Sequence, residues 1–215
     1  MLRRTIPTFL LTATLFASTA HAHSGYHWAG LSHTAKVARY TSAIITVKAL
    51  PTQVFVQAIG WTALWDLGAS ENYVEVGVGK PYKYGGSVVY LWWASDKKWA
   101  ANVVGSVPLG TPVLVELSKA DGTNRVTATW TWTTPTGVIK TITKSISVSK
   151  WYTGPGIHPT QAEVYTNSTT DHPRPFSIEF QDVTLYPQDA ATAYLCKDDP
   201  YYAVGTLTDF SVTYP

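Results

Sequence analysis

Two glutamates stand in the middle of segments otherwise built from strand-forming residues. Glu75 lies in Asn72-Tyr73-Val74-Glu75-Val76-Gly77-Val78-Gly79, and Glu163 lies in Gln161-Ala162-Glu163-Val164-Tyr165-Thr166-Asn167. A charge in mid-strand is unusual unless its face is solvated or functional. Side chains alternate along a strand, so Val74, Val76 and Val78 share one side and Tyr73, Glu75 and Gly77 the other. The valines belong to a core, and Glu75 projects from the opposite face with a glycine beside it leaving space. Gln161, Glu163, Tyr165 and Asn167 share a side in the same way. If both faces look into one hollow, Glu75 and Glu163 form a carboxylate pair and Asn167 adds an amide. Such a set can carry general acid–base cleavage of peptides or glycosides. The competing reading is two solvated charges on an outer sheet face.

Aromatic residues crowd the same stretch of chain. Trp65, Trp92, Trp93 and Trp99 accompany Tyr82, Tyr84 and Tyr90. Adjacent Trp92 and Trp93 must point to opposite faces, so one is expected in the core and one outside it. An exposed indole is a flat apolar platform with a polar edge, suited to sugar rings and extended peptides. The alternative is that these tryptophans only fill a large core. Trp65, Asp66, Tyr73, Tyr90, Trp92, Trp93 and Tyr165 are the candidate ligand contacts.

Other chemistry is thinner. If an export signal over residues 1–22 is removed, His23 becomes the amino terminus, and paired with His27, His33, His158 or His172 it would give the nitrogen donors of a copper brace, the site used by secreted polysaccharide monooxygenases. No Asp-x-Asp-x-Asp calcium loop is present, and no cofactor or metal is expected in the leading reading. Cys196 is the single cysteine, so no intrachain disulfide can form, and its neighbours supply no base to activate it. Asn167-Ser168-Thr169 fits a glycosylation sequon.

The elements that would position these residues are strands. Residues 1–22 read first as an export signal: Arg3 and Arg4, an apolar run over 6–17, then Ala20-His21-Ala22. The run is too short to span a bilayer and no later segment reaches the ~20 apolar residues of a spanning helix, so no membrane association is expected after cleavage. The remaining residues 23–215 carry 14 Lys+Arg against 14 Asp+Glu, and this zero balance offers no footprint for nucleic acid. Charged residues are 14% of the chain, below the usual ~25%, with Thr, Ser, Tyr and Trp taking their place.

Val-, Ile-, Thr-, Tyr- and Trp-rich runs separated by Gly, Pro, Asn and Asp predict strands near 35–49, 53–60, 72–79, 86–94, 112–118, 124–133, 138–148, 161–166, 176–186 and 205–214. Asp121-Gly122 and Pro135-Thr136-Gly137 predict the turns of a three-strand meander over 112–148. Phe176, Ile178 and Phe180 set one parity and Val183 and Leu185 the other, which predicts a bulge near Gln181-Asp182. Residues 150–160 and 187–204 read as irregular. This pattern predicts one all-β domain, a two-sheet antiparallel sandwich.

The order of short motifs over residues 26–186 resembles the glutamic peptidases (eqolisins) and the concanavalin A-like, jelly-roll sandwiches around them. His27-Trp28-Ala29-Gly30 is similar to the family's Asn-Trp-Ala-Gly. Trp61-Thr62-Ala63-Leu64-Trp65-Asp66 resembles its Trp-Val-Gly-Leu-Asp-Gly with a slip of one residue. Glu75-Val76-Gly77 stands at its Gln-x-Gly, and Val89-Tyr90-Leu91-Trp92-Trp93 at its Trp-Tyr-Glu-Trp-Tyr. Gly110-Thr111 matches the turn before its long meander, and Ala162-Glu163-Val164-Tyr165-Thr166-Asn167 its Ala-Glu-Trp-Ile-x-Glu. The resemblance implies a concanavalin A-like sandwich, and it places the family's catalytic glutamine at Glu75 and its catalytic glutamate at Asn167. One carboxylate and one amide are thus kept but exchanged.

Three functions follow as expectations. The first is a secreted module binding an extracellular polysaccharide or extended peptide in an aromatic-lined groove. The second is an acid endopeptidase-like hydrolase of the glutamic peptidase type, with Glu75 or Glu163 as base and Asn167 as oxyanion donor. The third is the copper-dependent monooxygenase through His23.

Overall fold

The computed structural model describes residues 26–35, 38–53, 55–66, 72–120, 122–149, 156–166, 175–186, 192–196 and 202–214. Fourteen strands are present among them: β1 Tyr26–Ala35, β2 Tyr40–Ala49, β3 Val56–Asp66, β4 Asn72–Lys80, β5 Val89–Ser95, β6 Lys98–Val107, β7 Pro112–Lys119, β8 Arg125–Thr133, β9 Ile139–Ser147, β10 Gly156–Thr166, β11 Phe176–Tyr186, β12 Thr192–Cys196, β13 Tyr202–Gly205 and β14 Phe210–Tyr214. They form two seven-stranded antiparallel sheets. The first runs β12-β1-β10-β3-β4-β5-β6 and the second β13-β14-β11-β2-β7-β8-β9. This is the expected two-sheet sandwich of the concanavalin-like kind.

The inner faces read directly from the alternation. Val74, Val76 and Val78 of β4 are fully buried, as are Val113, Val115 and Leu117 of β7 and Val126, Ala128 and Trp130 of β8. They pack with Ile45, Ile178, Phe180 and Leu91 into one core between the sheets. Burial of such side chains contributes about 1.5–3 kcal/mol each, the main term holding a chain without a disulfide together. Trp130 spans the gap: its Nε1 donates to the Gly77 carbonyl of the first sheet at 3.2 Å. The meander β7-β8-β9 is as expected. So is the bulge in β11, where the register to β2 shifts between Gln181 and Thr184 and Asp182 takes a φ of 51°.

Several expectations are corrected. The strand expected over 35–49 is β2, which begins only at Tyr40; β1, Tyr26–Ala35, was not expected and lies in the other sheet. The strand expected at 53–60 begins at Val56 and continues to Asp66. β6 was not expected at all; it returns from β5 through a tight turn that pairs Ser95 with Lys98. Part of the stretch read as irregular over 150–160 is strand, since β10 starts at Gly156. β12 lies within the other such stretch and β13 begins there, and residues 206–209 form the turn into β14 rather than strand.

β10 is a central strand although it contains Pro159, which has no N–H for a ladder. The structure accommodates this locally. Pairing of β10 with β3 is interrupted between Gly156 and Thr160. In that gap the Trp65 N–H donates to His158 Nδ1 at 3.2 Å instead.

Candidate active site

β3 carries the site between its two neighbours. β10 lies on one side of it, with Glu163 opposite Ile59, and β4 on the other, with Glu75 opposite Ala63. The alternation that buries Val74, Val76 and Val78 between the sheets turns Glu75 to the outer face of the first sheet. Glu163 and Tyr165 face the same way, because Ala162 and Val164 are the core residues of β10. A second apolar cluster covers this outer face: Ile59, Trp61, Ala63, Trp92 and Ala94, with Tyr73, Ala101 and Val103 packed against it. Gly77 makes that cluster possible. A Cβ there would meet the Gly60 carbonyl at 2.2 Å and Trp61 and Trp92 at 2.9 Å.

Above the cluster opens a cavity of about 680 Å³. Glu75 and Glu163 both line it, together with Gln57, Ile59, Trp92, Ala94, Ala100, Ala101 and Tyr165, and the Pro81–Tyr84 loop forms a wall. The two carboxyls therefore meet in one hollow, in one sheet.

Gln57, on β3 opposite Tyr165, donates from its Nε2 to Glu163 Oε1. The cleft thus holds a carboxyl–carboxamide pair plus a second carboxyl. The amide of the pair comes from neither of the positions the sequence suggested. Asn167 lies outside the described residues, and the β4 position is Glu75 itself.

Both carboxyls are kept protonated far above the usual range. Burial raises Glu75 to about 8, and the Glu163 charge adds to the effect. Burial raises Glu163 to about 7, opposed by the hydrogen bond from Gln57, which favours the ionised form. Glu163 is therefore the first to ionise and Glu75 the last. Two carboxyls pushed apart in this way can act as base and acid in one pH range.

Trp65, Trp92 and Trp93 do not form the expected exposed platform, and the Trp99 side chain lies outside the described ones. Trp92 does face the cleft, but it is 2% exposed and serves as floor, and Trp93 packs toward the core between the sheets with the Lys98 ammonium 5.6 Å from its ring. Trp65 and Tyr73 pair with each other, ring centroids 6.0 Å apart, away from the residues lining the cavity. Tyr90 packs on Tyr84 at 4.6 Å, and it is Tyr84 that lines the cavity. Of the candidate ligand contacts, Trp92 and Tyr165 are at the cleft. The Asp66 backbone pairs with Asn72 and Gly156 at the far end of β3. Sequence reasoning missed Gln57. Its signal was a polar residue sharing parity with Ile59, Trp61 and Ala63.

Among the described residues no three His, Cys, Asp or Glu side chains gather as a metal site. His33 and His158 face each other across β1 and β10, both buried on the core side. Burial lowers the His33 pKa, and burial with the nearby His33 lowers that of His158 to about 4, so both are neutral near pH 7. His23, His172, the sequon and residues 1–22 lie outside the described residues.

Solved structures show the same architecture. Scytalido-glutamic peptidase with a peptide-based transition-state analog superposes with a TM-score of 0.62 at 14% identity, covering 88% of this chain and 98% of that one. The same peptidase with a transition-state analog inhibitor gives 0.59 at 16% identity, with the same coverage. The fold is that of a glutamic peptidase. No family model matches the chain, and no curated protein matches it by sequence.

Proposed function

We propose that this chain is a carboxyl-dependent hydrolase of the glutamic peptidase type, cleaving extended peptide in the cleft over β3. The observation that carries the reading is the Gln57 carboxamide donating to Glu163 beside a second carboxyl, Glu75, in one cavity. Ionised Glu163 takes a proton from water as the water attacks the scissile carbonyl. The second N–H of Gln57 and the protonated Glu75 donate to the oxygen that becomes negative. Glu163 then passes its proton to the departing amine.

This assignment gives the reaction its own pH range. Glu163 must have lost its proton, which favours pH above about 7, and Glu75 must have kept its own, which favours pH below about 8. The acidic optimum implied by the family resemblance is thus replaced by one near neutrality. A module that only binds polymer, the first expectation from sequence, has no use for two carboxyls held uncharged at pH 6, and this favours hydrolysis. Arg3, Arg4, the apolar run over 6–17 and Ala20-His21-Ala22 support export of the hydrolase.

The test is mass-spectrometric detection of new amino termini in a denatured protein incubated with the chain lacking residues 1–22. Cleavage by the parent and its loss in Glu163→Gln are the expected results. Absence of cleavage between pH 4 and 9, or cleavage that survives Glu163→Gln, overturns the proposal.

A further inference from the structure

Among the described residues, Phe55 is the least explained aromatic. It is 53% exposed, yet its backbone has a φ of 61°, in the left-handed region that bulky side chains avoid. Burial of its ring does not offset that strain. Non-glycine residues in this region persist where surrounding structure enforces them, and they cluster at ligand clamps. Here the enforcing group is visible. Lys80, buried at the end of β4, donates from Nζ to the Pro51 carbonyl at 2.6 Å and to the Gln53 carbonyl, which ties down the chain just before Phe55. The facing loop shows the same feature, with Lys83 at a φ of 76°.

The two loops meet through rings. Phe55 and Tyr82 have centroids 5.7 Å apart, tilted by 54°, and Tyr82 and Tyr165 are 5.2 Å apart, edge-on at 65°. Tyr165 stands opposite Gln57 and two residues from Glu163 on the same face. A continuous aromatic rail therefore runs from the exposed Phe55 to the Gln57–Glu163 pair.

We propose that Phe55, Tyr82 and Tyr165 form a subsite for one bulky apolar side chain of an extended peptide, on the Glu163 side of the cleft. The inference rests on the hydrolase reading for its ligand and adds the side-chain class selected. The ring angles decide the occupant. Tilted and edge-on rings make an angular apolar notch that a phenylalanine or leucine side chain fills, whereas a sugar ring needs a flat face to stack on. Lys80 is a positioning residue, acting through the loop that presents Phe55.

The experiment uses the Glu163→Gln chain, so that peptides survive the measurement. Two fluorescent decapeptides, alike except for Phe or Ala at one central position, are titrated alongside a neutral hexasaccharide. Burial of the phenyl group is expected to make the Phe peptide bind about tenfold tighter. Adding Phe55→Gly is expected to reduce that preference to less than about threefold on the same scale. Glycine adopts the φ of 61° without strain, so this variant keeps its fold, and its thermal midpoint checks that. Tyr82→Ala is expected to remove the preference in the same way. Equal binding of the two peptides, a preference untouched by both variants, or tighter binding of the hexasaccharide overturns the subsite. A preserved preference in a chain that cleaves nothing leaves the subsite standing and removes the hydrolase.

Discussion

Replacing Glu75 by glutamine keeps the shape of the side chain and removes its ability to ionise. In the folded chain burial and the Glu163 charge hold this carboxyl at about 8, against an ordinary value of 4.5. The fold therefore binds the proton more tightly than the unfolded chain does. Stability is greatest below pH 4.5, falls as pH rises through the window up to about 8, and levels off above it. At 1.36 kcal/mol per pH unit the full shift corresponds to about 5 kcal/mol. Glu75 keeps a partial opening to the cleft, and water entering there screens the charge, so a measured contribution of about 2–3 kcal/mol is expected. Urea unfolding of the parent and of Glu75→Gln, each at pH 5 and pH 9, isolates the effect. The parent should lose about 2–3 kcal/mol more than the variant between the two pH values. Equal losses would mean that the carboxyl is as well solvated in the fold as outside it, and that burial does not hold its proton.

Gln57→Leu removes the donor to Glu163 and leaves a buried carboxyl without its partner. The pKa of Glu163 should rise above about 7, and stability at pH 9 should drop by about 1–3 kcal/mol, both readable from carboxyl NMR titration and urea unfolding. Gly77→Ala places a methyl group 2.2 Å from the Gly60 carbonyl oxygen, which is backbone and cannot swing away. A loss of about 3 kcal/mol is expected in thermal unfolding, with the cleft floor at Trp61 and Trp92 displaced.

The legible parts of the fold were those where alternation and turn chemistry agree. β8 alternates Val126, Ala128 and Trp130 with Thr127, Thr129 and Thr131, and glycine-bearing turns flank it, so its faces and neighbours were readable. The change of parity in β11 located its bulge for the same reason. β6 was hidden because Ala100, Ala101 and Gly105 weaken its strand signal, and Asp96-Lys97 is not a recognisable hairpin turn. The start of β10 was hidden by Pro159, which argues against a central strand until the break in the β3 ladder is seen. The segment between β1 and β2 carries no Gly or Pro, so the start of β2 was read five residues early.

The site divided along similar lines. The outward direction of Glu75 and Glu163 follows from period two, a local property. That their two strands both flank β3 depends on long-range pairing, which spacing does not encode. Gln57 was unreadable as a partner because it meets Glu163 across 106 positions of chain. The tryptophans misled because large aromatics signal both floors and platforms, and only burial separates the two.

Catalysis in this cleft requires ionised Glu163 as the base and protonated Glu75 as a donor to the oxyanion, and the pH dependence of kcat/KM for an internally quenched peptide reads both states at once. A bell with limbs near 7 and 8 is expected, the lower limb set by Glu163 and the upper by Glu75, so that Glu75→Gln loses the upper limb. A rate that peaks near pH 3, or an upper limb that persists in Glu75→Gln, would contradict it.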